Sequence, residues 1–348
     1  MPHAKRISSS FVEGTELSGG VRWEKMGRLL APNPDIEWMS TCTGPAFAHA
    51  PDGSELMDVY VTGRDSQNRS LIGIVRIALA GGVPRVLAIS PTPVLTCGSR
   101  GAFDENGVSY PCIVEKDEQL FLYYTGWMPT VLTPFQVHLG LAIRQNDGTM
   151  RRASRAPILE RTNEDFLSIG SVCVEVENGL WRMWYTAFID WGDGVAEPKH
   201  KYIIKYASSH DGIHWQRKNQ VCINLEHTGE HSICRPTVYH DKNGYHMWYC
   251  YRGDEYRIGY AVSDDGVSWR RRDGDAGLDQ TEEDWDSQAQ CYPHVFRHGA
   301  YLYMLYCGNG YGRDGLGMAR LKLESLPDPF AAPGFSSRRF QRYRSRAA

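Results

Sequence analysis

Helical periodicity is nearly missing from this chain of 348 residues. Apolar residues rarely recur at the three- and four-residue spacing of an amphipathic helix, which points away from helical folds. Long apolar runs are missing too. The stretch 71–89 is interrupted by Arg76 and Arg85, and nothing approaches the roughly 18–20 residues a membrane helix needs. The N-terminal MPHAKRISSSFVEG has basic residues but no apolar segment of signal-peptide type. Nine cysteines are present without a C-x-x-C pair, so the usual spacing of a structural zinc site is absent. An odd, scattered set with no export signal reads as reduced thiols, and the expected location is the cytoplasm. One-sided charge is lacking as well. A net charge of −3 gives no bulk electrostatic case for nucleic acid or an anionic membrane as partner.

What is abundant is short alternating segments rich in Tyr, Trp, Val and Ile, separated by Gly, Asp and Asn. Five aromatic-rich segments recur: MDVYVTG, LFLYYTG, WRMWYTA, YHMWYCY and YLYMLYCG. Their tyrosines are Tyr60, Tyr124, Tyr185, Tyr249 and Tyr306, about 60 residues apart, a period that marks a repeat architecture. A proline precedes four of them by about a dozen residues: Pro45, Pro111, Pro236 and Pro293. In the third set Cys173 takes the proline's place. A small-residue strand follows each: LIGIV, LGLAI, IIKYAS, IGYAVS and LGMAR. Five such sets predict an all-β, five-bladed β-propeller with four-stranded antiparallel blades around a central axis. Residues 1–39 form a lead-in able to close a blade, 40–325 the propeller, and 326–348 a basic tail without an ordered place. The tail's arginines, Arg338 to Arg346, are what a solvated end looks like.

SHDGIHW at 209–215 and SDDGVSW at 263–269 are copies of Ser-x-Asp-Gly-x-x-Trp. Asp-Gly supplies the positive φ of a tight turn. The expectation is a turn from the third strand to the outer one, with Trp215 and Trp269 packed between blades. NDGTMRR carries a worn copy, Asp147-Gly148.

At these residues the chain resembles the five-bladed propeller glycosidases, the superfamily of glycoside hydrolase families 32, 43, 62, 68 and 130. The resemblance spans about residues 40–325. It implies a carbohydrate-active enzyme that hydrolyses or transfers a glycosidic bond. The acids of those families are not all in place. Gly44-Pro45 stands where family 43 has Asp-Pro, and Cys234-Arg235-Pro236 where it has Glu-Gly-Pro. Some related propellers hold an axial Ca²⁺, so a calcium ion on the axis is possible, with no other cofactor.

The loops leading into the first strands place Asp104, Glu230 and Asp286 six or seven residues ahead of their prolines. In a closed propeller they would share one mouth, as two-carboxylate glycoside chemistry needs. Glu105 is a further candidate, and His231 a candidate proton-transfer group. An acid before a strand also serves commonly as a turn residue. Arg235 and Arg252 are candidates for an anionic substrate group. Trp127, Trp191, Tyr251, Tyr292 and Tyr311 are candidates to stack on sugar rings, with Asn309 for hydroxyls. The expected partner is a small sugar or sugar conjugate. A non-catalytic carbohydrate-binding propeller, and a propeller recruited to elimination, isomerisation or rearrangement, are the alternatives.

Overall fold

A computed structural model describes residues 21–49, 54–192 and 199–326. The basic tail beyond 326 lies outside the described residues. The strands form five antiparallel meanders. Blade 1 is β2 (Cys42–His49), β3 (Leu56–Arg64), β4 (Ser70–Ala78) and β5 (Arg85–Ile89). Blade 2 is β6 (Gly107–Lys116), β7 (Gln119–Met128), β8 (Gln136–Arg144) and β9 (Met150–Arg152). Blade 3 is β10 (Ile169–Glu177), β11 (Leu180–Asp190), β12 (Lys201–Ser209) and β13 (Gln216–Ile223). Blade 4 is β14 (Ser232–Asp241), β15 (Gly244–Arg252), β16 (Tyr256–Ser263) and β17 (Trp269–Arg271). Blade 5 is β18 (Cys291–His298), β19 (Tyr301–Cys307) and β20 (Leu316–Lys322), and its outermost strand is β1 (Glu24–Leu30), paired antiparallel with β20. The innermost strands β2, β6, β10, β14 and β18 each touch the next, and β18 touches β2, so the ring is closed.

The second strands are the filling. Trp184, Tyr185, Trp248, Tyr249, Tyr124 and Tyr306 are fully buried between blades, which is why those segments carry aromatics at high density. The repeated turn motif lies where expected, between β12 and β13 and between β16 and β17. Asp211 Oδ1 accepts from the amides of Ile213 and His214, and Asp265 Oδ1 from those of Val267 and Ser268. Gly212 and Gly266 sit at φ +74° and +71°. Their carbonyls accept from Tyr123 Oη at 2.8 Å and Trp184 Nε1 at 2.7 Å, both on the preceding blade. Trp215 packs on Tyr123 and Trp269 on Trp184. The motif is a blade-to-blade latch.

Each innermost strand has a register shift near its start: Thr43/Ala46, Ser109/Cys112, Ile169/Val172, Cys234/Thr237 and Cys291/His294. The prolines belong to these bulges. In blade 3 the bulge falls at Gly170-Ser171, so Ser171, not Cys173, holds the proline's place. The residues before three of the prolines, Tyr110, Arg235 and Tyr292, have φ of 54°, 53° and 58°. That left-handed backbone costs a non-glycine residue about 1–2 kcal/mol. The previous blade holds each of these bulges by its amide: Tyr110 N to Thr62 Oγ1 (3.1 Å), Arg235 N to Ser171 Oγ (3.0 Å) and Tyr292 N to Cys250 Sγ (2.7 Å). Bulges re-aim side chains, and here they turn three side chains toward the axis.

Candidate functional site

A cavity of about 490 Å³ opens at the end of the axis where the innermost strands begin. Its lining includes Tyr110 and Tyr292 from the bulges, Tyr202 and Tyr256 from the starts of third strands, and Arg64, Trp127 and Arg252 from the ends of second strands. Phe135, Phe188, His200 and Tyr311 complete the aromatic wall. A neighbouring cavity of about 390 Å³ shares Arg64, Asn68, Tyr110, Tyr292 and Tyr311 and adds Arg313. Among the described residues, neither lining contains an Asp or a Glu.

The cations are held by aromatic faces and neutral oxygens. Arg252 lies over the rings of Tyr256 (5.4 Å) and Tyr311 (5.8 Å), and its Nε donates to the Asp254 carbonyl. Arg64 lies over Trp127 at 5.4 Å and donates to Asn68 Oδ1 at 2.7 Å. Neither forms an ion pair among the described residues. Tyr202 and Tyr256 share a hydroxyl–hydroxyl bond of 2.6 Å. Burial pushes Tyr110, Tyr202, Tyr256 and Tyr292 above the usual phenol range. They stay protonated and can donate hydrogen bonds at neutral pH.

The expected carboxylates are elsewhere. Asp104 is buried under Tyr124 Oη (3.0 Å) and Arg152 Nε (2.8 Å). Asp286 is buried with Lys25 Nζ (2.6 Å), Thr281 Oγ1 (2.5 Å) and Tyr306 Oη (2.9 Å). Burial opposes its ionisation, but Lys25 and the hydroxyls outweigh burial and hold the carboxyl below its usual range. Glu230 takes a two-pronged contact from Arg271, at 2.7 and 2.9 Å. It too is held below its usual range, against the cost of burial. Glu105 accepts from the Gly101 amide at 2.5 Å. The equivalence read from the prolines is real, but it is an equivalence of clamps. Asp104 and Asp286 each receive a second-strand tyrosine and an outer-strand cation, while Glu230 receives the outer-strand Arg271 without a tyrosine. Blade 3 has its own, Asp165, met by Tyr185, Lys205 and Arg217 at 2.7–3.0 Å. In blade 4 Tyr249 Oη (2.5 Å) and Arg271 meet Asp273. No pair of carboxylates faces across the funnel among the described residues.

Other expected residues divide. Arg252, Trp127, Tyr292 and Tyr311 line the pocket. Trp191 stands behind it, packed on Phe135, Phe188 and His200. Tyr251 lies outside, beside Arg271. Asn309 is buried as a brace, its Oδ1 accepting from the amides of Gln288 and Ala289. His231 is a packed residue: Nε2 donates to the Gly253 carbonyl (3.0 Å) and Nδ1 accepts from Ser232 Oγ (2.8 Å). Burial lowers its pKa. Arg235 is 2% exposed and crosses the axis beneath the pocket, from blade 4 to the carbonyls of Ala46 (3.1 Å) and Pro111 (3.0 Å). A cation there opposes a calcium ion on the axis, since the two would repel. Among the described residues no group of three or more His, Cys, Asp or Glu gathers to hold a metal. Nor is any described helix long and apolar enough to cross a membrane.

Sequence reasoning missed Arg64, Tyr110, His200, Tyr202 and Tyr256. A usable signal existed. In an antiparallel meander the end of the second strand and the start of the third lie at the same rim as the start of the first. Arg64 closes β3, and Tyr202 and Tyr256 open β12 and β16.

No family model matches the chain. Among solved structures, a glycosyl hydrolase from Bacteroides ovatus superposes with a TM-score of 0.67 at 14% identity, over 89% of this chain and 96% of that one. A structure from the GH130 family of mannoside phosphorylases and hydrolases gives 0.64 at 16%, over 94% and 100%. A thermostable family-43 glycoside hydrolase gives 0.62 at 15%, over 86% and 94%. These likenesses establish the fold, that of the propeller glycosidases. In sequence, the chain is 39% identical over 300 residues to uncharacterized proteins Rv1502 and MT1551 of Mycobacterium tuberculosis strains H37Rv and CDC 1551, covering 86% of this chain and 99% of theirs. With that identity over nearly their whole length, the chain belongs to the family of these two mycobacterial proteins.

Proposed function

We propose that the axial pocket binds a negatively charged sugar conjugate, one bearing a phosphate or carboxylate, and that the protein acts on its glycosidic bond. One observation carries the reading: a cavity of about 490 Å³ lined by aromatic rings and two arginines without an acid. Ring faces suit the apolar faces of a sugar, and guanidinium groups suit an anion. Arg252 and Arg64 hold the anionic group in this reading. Trp127, Tyr292 and Tyr311 contact the rest, and Arg313 extends the cationic side.

The pocket also limits the reaction. Two-carboxylate hydrolysis needs an acid and a base from the protein. The groups here are mostly donors: tyrosine hydroxyls, arginines, Ser109, Thr125 and Asn68, with the His200 imidazole beside them. In this reading the Tyr202–Tyr256 hydroxyl pair gives a proton to the leaving oxygen. The anion of the substrate or of a co-substrate, or a water it activates, bonds to the sugar carbon as the glycosidic C–O bond breaks, and the attacking group's own proton or solvent restores the tyrosine. The absence of a carboxylate base from the lining also favours a second reading, in which the pocket binds without turnover.

Calorimetry with hexose phosphates, uronic acids and neutral methyl glycosides tests the first claim. Anionic members should bind at least about tenfold tighter, and Arg252→Ala should erase about that factor. Equal affinity for neutral sugars would sink the proposal. Mass spectrometry after prolonged incubation separates turnover from binding.

A further inference from the structure

Arg235 is a buried cation without a buried anion. Its Nη2 spends its hydrogen bonds on two backbone carbonyls, and its Nε and Nη1 have no hydrogen-bond partner. It forms no ion pair among the described residues. The titratable groups around it are neutral. Burial pushes the thiols of Cys112 and Cys173 upward. His294 is pushed down to about 3, first by burial and then by Arg235 itself. Arginine does not lose its proton in proteins, so the charge stays. Such an unpaired buried charge opposes folding, and the left-handed backbone of Arg235 adds to that cost. A methionine of similar length would fill the same space without either charge or orphaned nitrogens.

We infer that Arg235 is a fixed positive charge set beneath the pocket floor, and that it selects an anionic ligand through its field rather than by contact. This rests on the reading of the pocket as an anion site. The guanidinium lies 5.9 Å from the ring centroid of Tyr110, and Tyr110 lines both cavities. An anion on the far face of that ring would sit roughly 9 Å from the charge, close enough in a protein interior to alter a dissociation constant by about tenfold. Because the charge is buried, salt screens it far less than it screens the rim arginines. Arg235 is therefore a positioning and specificity residue that need not touch the ligand. The rim arginines capture the anion, and the floor charge decides how much tighter it binds than a neutral molecule of the same shape.

The test is phosphate binding by calorimetry, with inorganic phosphate as probe, on the wild type, Arg235→Met, Arg235→Lys and Arg252→Ala. Arg235→Met should weaken phosphate about tenfold and leave the protein as thermally stable as the wild type or more so. Arg235→Lys keeps the charge and should stay within about threefold of the wild type. Raising salt should weaken the Arg252-dependent part of binding and spare the Arg235-dependent part. Phosphate bound equally by wild type and Arg235→Met would overturn the inference while leaving the anion pocket intact. A wild type that ignores phosphate, hexose phosphates and uronic acids alike would remove the anion reading itself. An Arg235→Met protein that fails to fold would also overturn the inference, because Arg235 would then be kept for its two carbonyls rather than for its charge.

Discussion

Blade edge and axial funnel lie within the same five sheets, yet they handle charge in opposite ways. At the edges the buried Asp104, Asp165 and Asp286 each meet a cation at 2.6–2.8 Å. At the funnel Arg64, Arg252 and Arg235 meet rings and carbonyls. Buried charges are expensive unless paired, so the edges look like the product of selection for a stable fold. The funnel accepts a cost that folding alone would not select, and a cationic hollow is what an anionic ligand rewards. The difference also separates two meanings of repetition. What recurs from blade to blade, such as the acid–tyrosine–cation clamp, holds the blades. What occurs once, such as Arg235 or the Tyr202–Tyr256 pair, is where a ligand is served.

The largest expected break of this comparison is at the edge. Arg271→Ala strands Glu230 and Asp273 together in a nearly buried site. It should cost about 3–5 kcal/mol, seen as a lower urea midpoint. Arg252→Ala, in the funnel, should cost under about 1 kcal/mol in the same assay. If the two lose stability equally, the division between clamp and pocket is wrong. The blade latch comes next. A Cβ at Gly212 would stand 2.8 Å from Trp181 and Tyr123 side-chain atoms, at φ +74°. Gly212→Ala should therefore destabilise by about 1–3 kcal/mol.

Acid pH sharpens the picture at a smaller scale. Glu230 and Asp286 are held below their ordinary values of 4.5 and 3.8. Their contribution is therefore fully present above those values and is lost as pH falls through the lower, folded ones. Unfolding measured from pH 6 to 2 should show stability declining below about pH 4.5, and Asp286→Asn should flatten that limb. A limb of unchanged steepness would deny the clamp its role in acid stability. The smallest effect belongs to Glu105→Gln, since the amide oxygen can still accept from Gly101. It should stay within about 0.5 kcal/mol and leave ligand affinity unchanged.

Most of the fold was legible because a propeller writes its period into the chain. The aromatic strands, the prolines and the Asp-Gly turns each mark the same place in successive blades. The clamps were half legible. Asp104, Glu230 and Asp286 aligned correctly, but an acid's role depends on its partner. Arg152 and Arg271 come from outer strands of only three residues, and Lys25 comes from the far end of the chain. Asp165 was hidden because blade 3 has no proline at its bulge. The pocket was least legible. Arg64, Tyr202 and Tyr256 sit at strand ends without a motif, and they meet only because the ring closes.

That closure sets an order of events. The last blade borrows its outer strand from residues 24–30, so that segment must wait for a partner strand made nearly 300 residues later. Nearly 300 residues separate Glu24 from its partner Arg320. Bringing such distant segments together is an entropic search that slows folding. Until it succeeds, β20 offers an unpaired edge and Asp286 lacks Lys25.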